Sequence, residues 1–162
     1  MEQTKTEFYQ LLNQSVAALT GAEENILANL CNAAALMGQM LPQINWAGFY
    51  LMDGGTLLLG PFWGKPACIR IQPGRGVCGT AAATDTVQRI ADVHEFPGHI
   101  ACDAASASEI VIPIHADGRV VAVLDIDSPV RDRFDEDDEA GLRELSAILE
   151  RRPWNRSGYD LR

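Results

Sequence analysis

No apolar run in this chain approaches the roughly 20 residues that a membrane-spanning helix needs. Residues 1–12 also lack the basic start and apolar stretch of a secretory signal peptide. We therefore expect a cytoplasmic protein that is not inserted in a membrane. In that reducing compartment, the N-x-S patterns at Asn13 and Asn155 are chance matches, and a structural disulfide framework is not expected.

Basic residues are scarce. The chain has 13 Lys and Arg against 22 Asp and Glu, for a net charge of −9. This charge repels nucleic-acid backbones and anionic lipid surfaces, and no basic stripe offsets it. We therefore expect neither as a partner.

Metal and cofactor signatures are weak. The four cysteines include no C-x₂-C pair, so a zinc site built from Cys68, Cys78, Cys102 and His99 is disfavoured. Residues 74–79 match G-x-G-x-x-G, but barely two helical turns follow them instead of the full helix of a dinucleotide site. We expect no metal and no cofactor.

The hydrophobic rhythm predicts one α+β domain over residues 1–152, with a loose tail at 153–162. Two amphipathic helices, 3–20 and 22–40, come first, and a helix from about Asp135 closes the domain. The residues expected to face the core from these helices are Phe8, Leu11, Leu12, Val16, Leu19, Ile26, Leu27, Leu30, Ala34, Met37, Leu142, Leu145, Ile148 and Leu149. Cys31 is also expected to be buried.

Between the helices, two hairpins predict a central antiparallel sheet. The first joins residues 44–52 and 56–62, and the second joins 109–115 and 119–127. Short strands at 68–72 and 86–90 flank a short helix at 76–84. The irregular stretch 92–106 is long enough to predict a functional loop, such as a lid over a site.

The second hairpin carries an unusual set of carboxylates. Strand alternation puts Asp125 and Asp127 on the same face as Val121 and Val123. A three-residue loop at 116–118 would place Glu109 opposite Asp125, whereas a two-residue turn would move Glu109 to the other face. A partly buried cluster of three acids suits an ammonium group or a metal ion, and it keeps one acid protonated near neutral pH. A solvated face is the alternative.

Two further features could contribute to a site. Trp46 and Tyr50 share a strand face with Gly48 between them, which predicts either a flat apolar wall with space in front of it or ordinary core packing. Cys68, Cys78 and Cys102 lie at a strand start, a helix start and the loop, where thiolates are accessible and stabilised. The acidic run at 135–139 is interpreted as a helix cap.

Several segments together resemble the free methionine-(R)-sulfoxide reductases, which are stand-alone enzymes built on a GAF domain. The resemblance runs in order from about residue 40 to 130, and residues 153–162 have no counterpart in it. The matching segments are Asn45-Trp46-Ala47-Gly48-Phe49-Tyr50, Gly74-Arg75-Gly76-Val77-Cys78-Gly79-Thr80-Ala81, Asp92-Val93-His94-Glu95-Phe96-Pro97-Gly98-His99-Ile100-Ala101-Cys102-Asp103, Ser108-Glu109-Ile110-Val111 and Val123-Leu124-Asp125-Ile126-Asp127-Ser128-Pro129.

The resemblance implies reduction of free methionine-R-sulfoxide, with Cys102 as nucleophile, Cys68 as resolving partner and Cys78 in a less defined redox role. It implies that the substrate is held by Trp46, Glu109, Asp125 and Asp127. We also expect Tyr50 to contact the substrate from the same strand face as Trp46, Glu109 or Asp127 to polarise the sulfoxide, and Asp125 to help hold the amine. Thioredoxin is the implied reductant, and a homodimer the implied assembly. A GAF domain that only senses a small molecule, and a thiol-based redox sensor that reduces no substrate, are the alternatives.

Overall fold

Four α-helices and six β-strands make up the part of the chain that the computed structural model describes, residues 3–100 and 104–154. In chain order the elements are α1 (Lys5–Thr20), α2 (Ile26–Met40), β1 (Trp46–Asp53), β2 (Thr56–Gly64), β3 (Arg70–Ile71), α3 (Gly76–Thr84), β4 (Gln88–Ile90), a 3₁₀ turn (Val93–Glu95), β5 (Ser108–Ala116), β6 (Arg119–Ser128) and α4 (Glu136–Glu150). None of the helices in these ranges combines the length and apolarity that crossing a bilayer requires.

The strands form one antiparallel sheet in the order β3-β2-β1-β6-β5-β4, which confirms the predicted α+β fold with a central antiparallel sheet. Both predicted hairpins are present. Gly54 and Gly55 make the first turn, whereas the Asp-Gly pair in the sequence predicted a turn at Asp53-Gly54, and both glycines have positive φ angles. Such angles match the twist of the flanking strands and are open to glycine at little cost.

Helices α2 and α4 pack on one face of the sheet, and α1 packs against both of them. The three helices form the larger core with the inward residues of β1, β5 and β6. The predicted core residues of α4 are all buried, as are Leu12 and Val16 of α1. The prediction that Leu11 and Leu19 face the core is wrong, because they are 49% and 50% exposed. The buried stripe of α1 instead includes Asn13, whose side chain donates to the carbonyl of Gly141 at 3.0 Å.

Cys31 was also predicted to be buried, and this prediction is wrong. Helix α2 buries a stripe that runs from Ile26 through Leu30 to Met37, and Cys31 lies outside it with an exposed thiol. Leu27 is only partly buried for the same reason. A small apolar residue one position from a buried leucine has been turned by about 100° around the helix axis, so its burial does not follow from its neighbour's.

The buried side chain of Asp138, near the start of α4, joins that helix to α1. Asp135 caps α4 and forms a capping box with Asp138, as the acidic run predicted. Asp138 is 1% exposed, accepts a hydrogen bond from the Tyr9 hydroxyl at 2.8 Å and pairs with Arg133 at 3.1 Å.

The start of the predicted loose tail is packed. Beyond α4, Trp154 is buried and its indole donates to the carbonyl of Leu149. Residues 155–162 lie outside the described ranges.

The register of the second hairpin differs from the prediction, although its consequence holds. The turn has two residues, so Ala116 pairs with Arg119. A bulge between Ile114 and His115 then leaves Val121 without a cross-strand partner, and Glu109 pairs with Asp127 rather than Asp125. The two-residue turn alone would place Glu109 on the face away from Asp125 and Asp127. The extra residue of the bulge shifts the pairing by one, so Glu109 lies on the same face as the two aspartates.

The bulge also moves Val121. This residue was predicted to share the face of the carboxylates, but it packs into the core beneath α1, α2 and α4. Val111 and Val123 do pack on the carboxylate side, as predicted.

Candidate active site

The second face of the sheet, opposite α1, α2 and α4, carries the candidate site. Two rows of paired residues cross β1, β6 and β5 there. One row is Trp46, Asp127 and Glu109, and the row beside it is Gly48, Asp125 and Val111. The three carboxylates therefore occupy adjacent positions, and Glu109 and Asp125 are buried, at 6% and 5% exposed. Helix α3 packs across β5 and β6 above this patch.

A cavity opens between this patch, α3 and the loops at either side. Of the predicted site residues, it is lined by Trp46, Tyr50, Cys78, Glu109, Asp125 and Asp127. Cys68 is half-buried and packs beside Tyr50 and Cys78 rather than lining the cavity, although Pro66 and Ala67 do line it. Residues from four separate parts of the chain thus meet at one place.

Burial controls the ionisation of the two innermost carboxyl groups. The pKa of Glu109 is raised well above its usual value of 4.5, first by removal from water and then by the charges of Asp125 and Asp127. Burial also raises the pKa of Asp125 to about 6, against the opposing effect of hydrogen bonds from Glu109 and Cys78. Both carboxyl groups therefore bind a proton more tightly than exposed ones do, which favours a proton shared by the pair.

Cys78 does not match the accessible thiolate expected at a helix start. It is 4% exposed, and its Sγ lies 3.8 Å from Oε1 of Glu109, to which the thiol donates a hydrogen bond. Burial, followed by the charges of Asp125, Glu109 and Asp127, raises its pKa well above 9.0. The start of α3 cannot offset three carboxylates at this distance, so Cys78 is a protonated thiol at neutral pH.

The predicted aromatic wall is present, but the space in front of it is not where the glycine suggested. Trp46 stacks between Tyr50 and Phe62, with ring centroids 5.9 Å and 5.3 Å away. A Cβ on Gly48 would lie 2.4 Å from the Cβ of Phe62 and 2.8 Å from the carbonyl oxygen of Pro61. Gly48 therefore admits the neighbouring strand β2 at its irregular pairing, and it leaves no room for a ligand.

Hydrogen bonds from the two aromatic side chains hold the segment that carries Cys68. The indole of Trp46 donates to the carbonyl of Lys65 at 3.1 Å, and the Tyr50 hydroxyl donates to the carbonyl of Cys68 at 2.8 Å. Cys68 is disulfide-bonded, whereas Cys31 and Cys78 have free thiols. Cys102, the predicted nucleophile, lies outside the described residues.

Several lining residues were not predicted as site residues, and His99 had been considered only as a ligand of a disfavoured zinc site. Arg75 is exposed at the rim, and it precedes α3 without capping it through its side chain. His99 places Nε2 3.9 Å from Oε2 of Glu109, and burial lowers its pKa. Ile100 packs on Gly76, where a Cβ would lie 3.1 Å from the isoleucine side chain. No local pattern marks these residues, because each reaches the cavity from a loop.

Comparison with known proteins agrees with this arrangement. The GAF domain profile matches residues 9–152. Over 147 residues the chain is 58% identical to the free methionine-R-sulfoxide reductase of Escherichia coli, covering 91% of this chain and 89% of that protein. It is 43% identical to the reductase of that name from Saccharomyces cerevisiae, covering 90% and 85% of the two chains.

This chain belongs to the GAF-domain family of free methionine-R-sulfoxide reductases. A solved reductase of this family from Neisseria meningitidis, in complex with its substrate, superposes with a TM-score of 0.90 at 41% identity, over 94% of this chain and 92% of that one. The family expected from the sequence motifs is confirmed. The fold expected with it, a GAF domain with helices at both ends, is confirmed as well.

Proposed function

We propose that this chain reduces free methionine-R-sulfoxide to methionine with a cysteine nucleophile. The observation that carries the proposal is the buried pair of carboxyl groups, both with raised pKa values, in a cavity beside two aromatic side chains. A sulfoxide oxygen leaves poorly unless it receives a proton, and the substrate also carries an ammonium group. The pair meets both needs.

The two carboxyl groups have different roles. Glu109 has the higher affinity for a proton, so it donates to the sulfoxide oxygen. Asp125 is mostly ionised at neutral pH, and its buried Oδ1 has no hydrogen-bond partner among the described residues, so it accepts from the substrate ammonium. Asp127, on the same face, adds negative charge that favours both the proton on Glu109 and the bound cation.

Cys102 is the nucleophile in this proposal. Ile100, two residues before Cys102 in the sequence, lines the cavity, which supports this role. The Cys102 sulfur attacks the sulfoxide sulfur, and the oxygen, protonated by Glu109, transfers to the cysteine sulfur as the bond between the two sulfurs breaks, so that methionine leaves and Cys102 becomes a sulfenic acid. The Cys68 thiol then displaces that oxygen as water and forms a disulfide. An external dithiol, thioredoxin in our proposal, reduces the disulfide and restores both thiols.

Cys78 acts differently from the other two cysteines. Its thiol is buried and protonated, and it donates to Glu109, so it positions the proton donor and does not attack. Trp46, on the cavity wall, packs against the thioether methyl group.

Arg75 completes recognition of the free amino acid. Among the described lining residues it is the one permanently charged cation, and the amides of the first turn of α3 lie beside it. Helix-start amides and a guanidinium both favour a carboxylate. The cavity thus binds the substrate carboxylate near Arg75 and its ammonium near Asp125. A methionine sulfoxide within a peptide lacks both charges, which excludes it.

Single-turnover kinetics test the nucleophile. Reduced protein is mixed with excess free methionine-R-sulfoxide without a reductant, and methionine is measured. Cys102→Ser should form no methionine, Cys68→Ser should keep the first turnover but recycle slowly once a dithiol reductant is added, and the exposed Cys31→Ser should match the unchanged protein. A methionine burst from Cys102→Ser would refute the assignment. Peroxide-dependent disulfide formation without methionine release would favour the redox-sensor alternative.

Peptide mapping tests the recycling step. After substrate exposure, mass spectrometry should find a Cys68–Cys102 link. A link that includes Cys31 would contradict the proposed thiol roles.

Substrate choice tests Arg75. Arg75→Met should raise KM for the free sulfoxide at least about tenfold, because a charge-assisted contact is worth roughly 1.5–3 kcal/mol, and should change kcat less. Arg70→Met, which removes a surface pair with Asp53, is the matched control and should leave KM unchanged. The S epimer and the N-acetylated R sulfoxide should both be poor substrates. Equal rates for free and acetylated sulfoxide would contradict charge recognition.

The assembly and the cellular location remain predictions. We propose a cytoplasmic homodimer, and the exposed Leu11 and Leu19 on α1 offer an apolar surface for it. Sedimentation of the purified chain, compared with a Leu11→Glu/Leu19→Glu variant, tests the dimer. A monomer at micromolar concentration before substitution would contradict it.

A further inference from the structure

The acid cluster has the composition of a metal site as well as of an amine site. One ligand atom from each of Cys78, Glu109 and Asp125 lies within 4.8 Å of the others, and all three residues are buried. Oδ1 of Asp125 is buried with no hydrogen-bond partner in the described part of the chain. A carboxylate oxygen at 5% residue exposure that lacks a donor is costly to bury, so the cavity is built to receive something that satisfies it.

The distances fit a small tetrahedral ion. With Zn–S near 2.3 Å and Zn–O near 2.0 Å, tetrahedral geometry places the sulfur and oxygen ligands roughly 3.5 Å apart. Sγ of Cys78 and Oε1 of Glu109 are 3.8 Å apart, which differs by a few tenths of an ångström. Nε2 of His99 lies 3.9 Å from Oε2 of Glu109 but outside the group of three ligand atoms, so a rotation of its side chain towards them is needed for it to become the fourth ligand.

The ligand types select the class of ion. A thiolate with two carboxylates and an imidazole suits zinc or a softer divalent ion, whereas magnesium and calcium bind oxygen ligands almost exclusively. Asp127 shares the strand face and adds a third negative carboxylate near the cation. Arg75 at the rim is the opposing permanent charge, but it is exposed and therefore screened by water.

We propose that Cys78, Glu109 and Asp125, with His99 as fourth ligand, form a thiophilic divalent-metal site that binds zinc in competition with the amino-acid substrate. The ion replaces the proton of the Cys78 thiol and any proton held by the two carboxyl groups, and these protons pass to the buffer. No oxidation state changes. Because the metal occupies the carboxylates that would hold the ammonium and protonate the oxygen, zinc inhibits reversibly, and a chelator restores the free site.

Cobalt(II) is the probe for the metal ligands, because a cobalt–thiolate bond gives an ultraviolet charge-transfer band and tetrahedral coordination gives intense visible bands. Reduced full-length protein titrated with cobalt(II) should show both, and zinc should displace the cobalt. Cys78→Ser should lose the thiolate band, and Asp125→Asn should weaken zinc binding at least about tenfold in calorimetry. Cys31→Ser and Cys68→Ser are matched controls that each remove a different thiol, and both should keep the band.

Loss of the band in Cys68→Ser with its retention in Cys78→Ser would overturn the proposal, because the metal would then be bound by the other thiols. Equal zinc affinity in Asp125→Asn would also overturn it, provided that near-ultraviolet circular dichroism shows the variant folded. Magnesium or calcium at a hundredfold excess should not displace cobalt, and displacement would refute the assignment to a thiophilic ion.

Competition with free methionine separates this proposal from the proposed reductase activity. If cobalt binds through Cys78 and methionine displaces it, metal and amino acid share the cavity, whether or not the chain reduces sulfoxides. If cobalt binds but methionine does not displace it, the proposed competition is refuted. If the chain reduces sulfoxides and shows no cobalt–thiolate band, the metal site is wrong and the reductase proposal stands.

Discussion

Replacing Asp125 with asparagine should make the protein more stable at alkaline pH, because the ionised Asp125 carboxylate is buried beside an acidic partner. Burial raises the pKa of the Asp125 carboxyl to about 6 in the folded protein, from 3.8 in the unfolded chain. Above pH 6 the folded protein must hold an ionised group where the protonated form is favoured, and this lowers the free energy of unfolding. Below pH 3.8 the group is protonated in both states, and the penalty disappears.

The size of the effect follows from the two pKa values. Each pKa unit corresponds to about 1.4 kcal/mol, so the penalty at pH 8 is about 3 kcal/mol, and by linkage most of it is lost by pH 4. Asparagine carries no charge at either pH. The difference in unfolding free energy between Asp125→Asn and the unchanged protein should therefore grow by roughly 2 kcal/mol between pH 4 and pH 8. Removing the Asp125 charge also lowers the raised pKa of Glu109, so the ionised form of Glu109 destabilises the folded protein less. This makes the stability difference between Asp125→Asn and the unchanged protein larger at high pH.

Urea unfolding at a series of pH values measures this difference. Asp53→Asn is the matched control, because it removes the same charge from a more exposed position on β1, and its difference from the unchanged protein should vary little with pH. We expect Asp125→Asn to lose most reductase activity while gaining stability, since a buried charge retained against a stability cost is typical of a functional site. A stability difference that stays constant or shrinks from pH 4 to pH 8 would refute the electrostatic reasoning.

Three other substitutions test contacts outside the acid pair. His115→Gln should lower the free energy of unfolding by up to about 1 kcal/mol at pH 6 and by less at pH 9. Burial lowers the pKa of His115, but hydrogen bonds to Glu150 and Asp85 raise it by more, so the stabilising charge is lost as pH rises through that pKa. A larger loss at pH 9 would contradict this. Gly141→Ala should destabilise by about 1–3 kcal/mol in urea melts, despite alanine's higher helix propensity, because its Cβ would lie 2.1 Å from the Tyr9 ring; a more stable variant would show that the ring moves freely. Tyr50→Phe removes the hydrogen bond that holds the Cys68 carbonyl. Because Cys68 forms the disulfide in the proposed recycling step, this change should slow disulfide formation more than methionine release in single-turnover experiments. Equal slowing of both would argue against a role for Tyr50 in recycling.

Parts of the candidate site could be predicted from local patterns. Alternation within β6 places Asp125 and Asp127 on one face whatever the strand pairs with, because neighbouring side chains in a strand point to opposite faces. The same rule places Trp46 and Tyr50 together. The pairing of Glu109 could not be obtained in this way, since it depends on a two-residue turn and on a bulge whose effects on register oppose each other.

The ionisation of Cys78 shows why sequence neighbours mislead about chemistry. Its place at the start of α3 predicted a stabilised thiolate, but β5 and β6 place Glu109 and Asp125 against it. The raised pKa arises from residues more than thirty positions away along the chain. Similarly, Leu11 and Leu19 fit a helical apolar pattern, yet buried Asn13 and Thr20 show that the packed stripe is turned away from them.

The sequence by itself determined the α+β class, both hairpins, the capped final helix and the family, because these rest on periodicity, turn residues and motifs that act over a few positions. Only the tertiary structure decided the register of Glu109, the burial that raises the pKa of Glu109 and Asp125, and the arrival of Arg75 and His99 at the same cavity. Those properties depend on which distant residues exclude water and share an electric field, and the order of residues along the chain does not specify either.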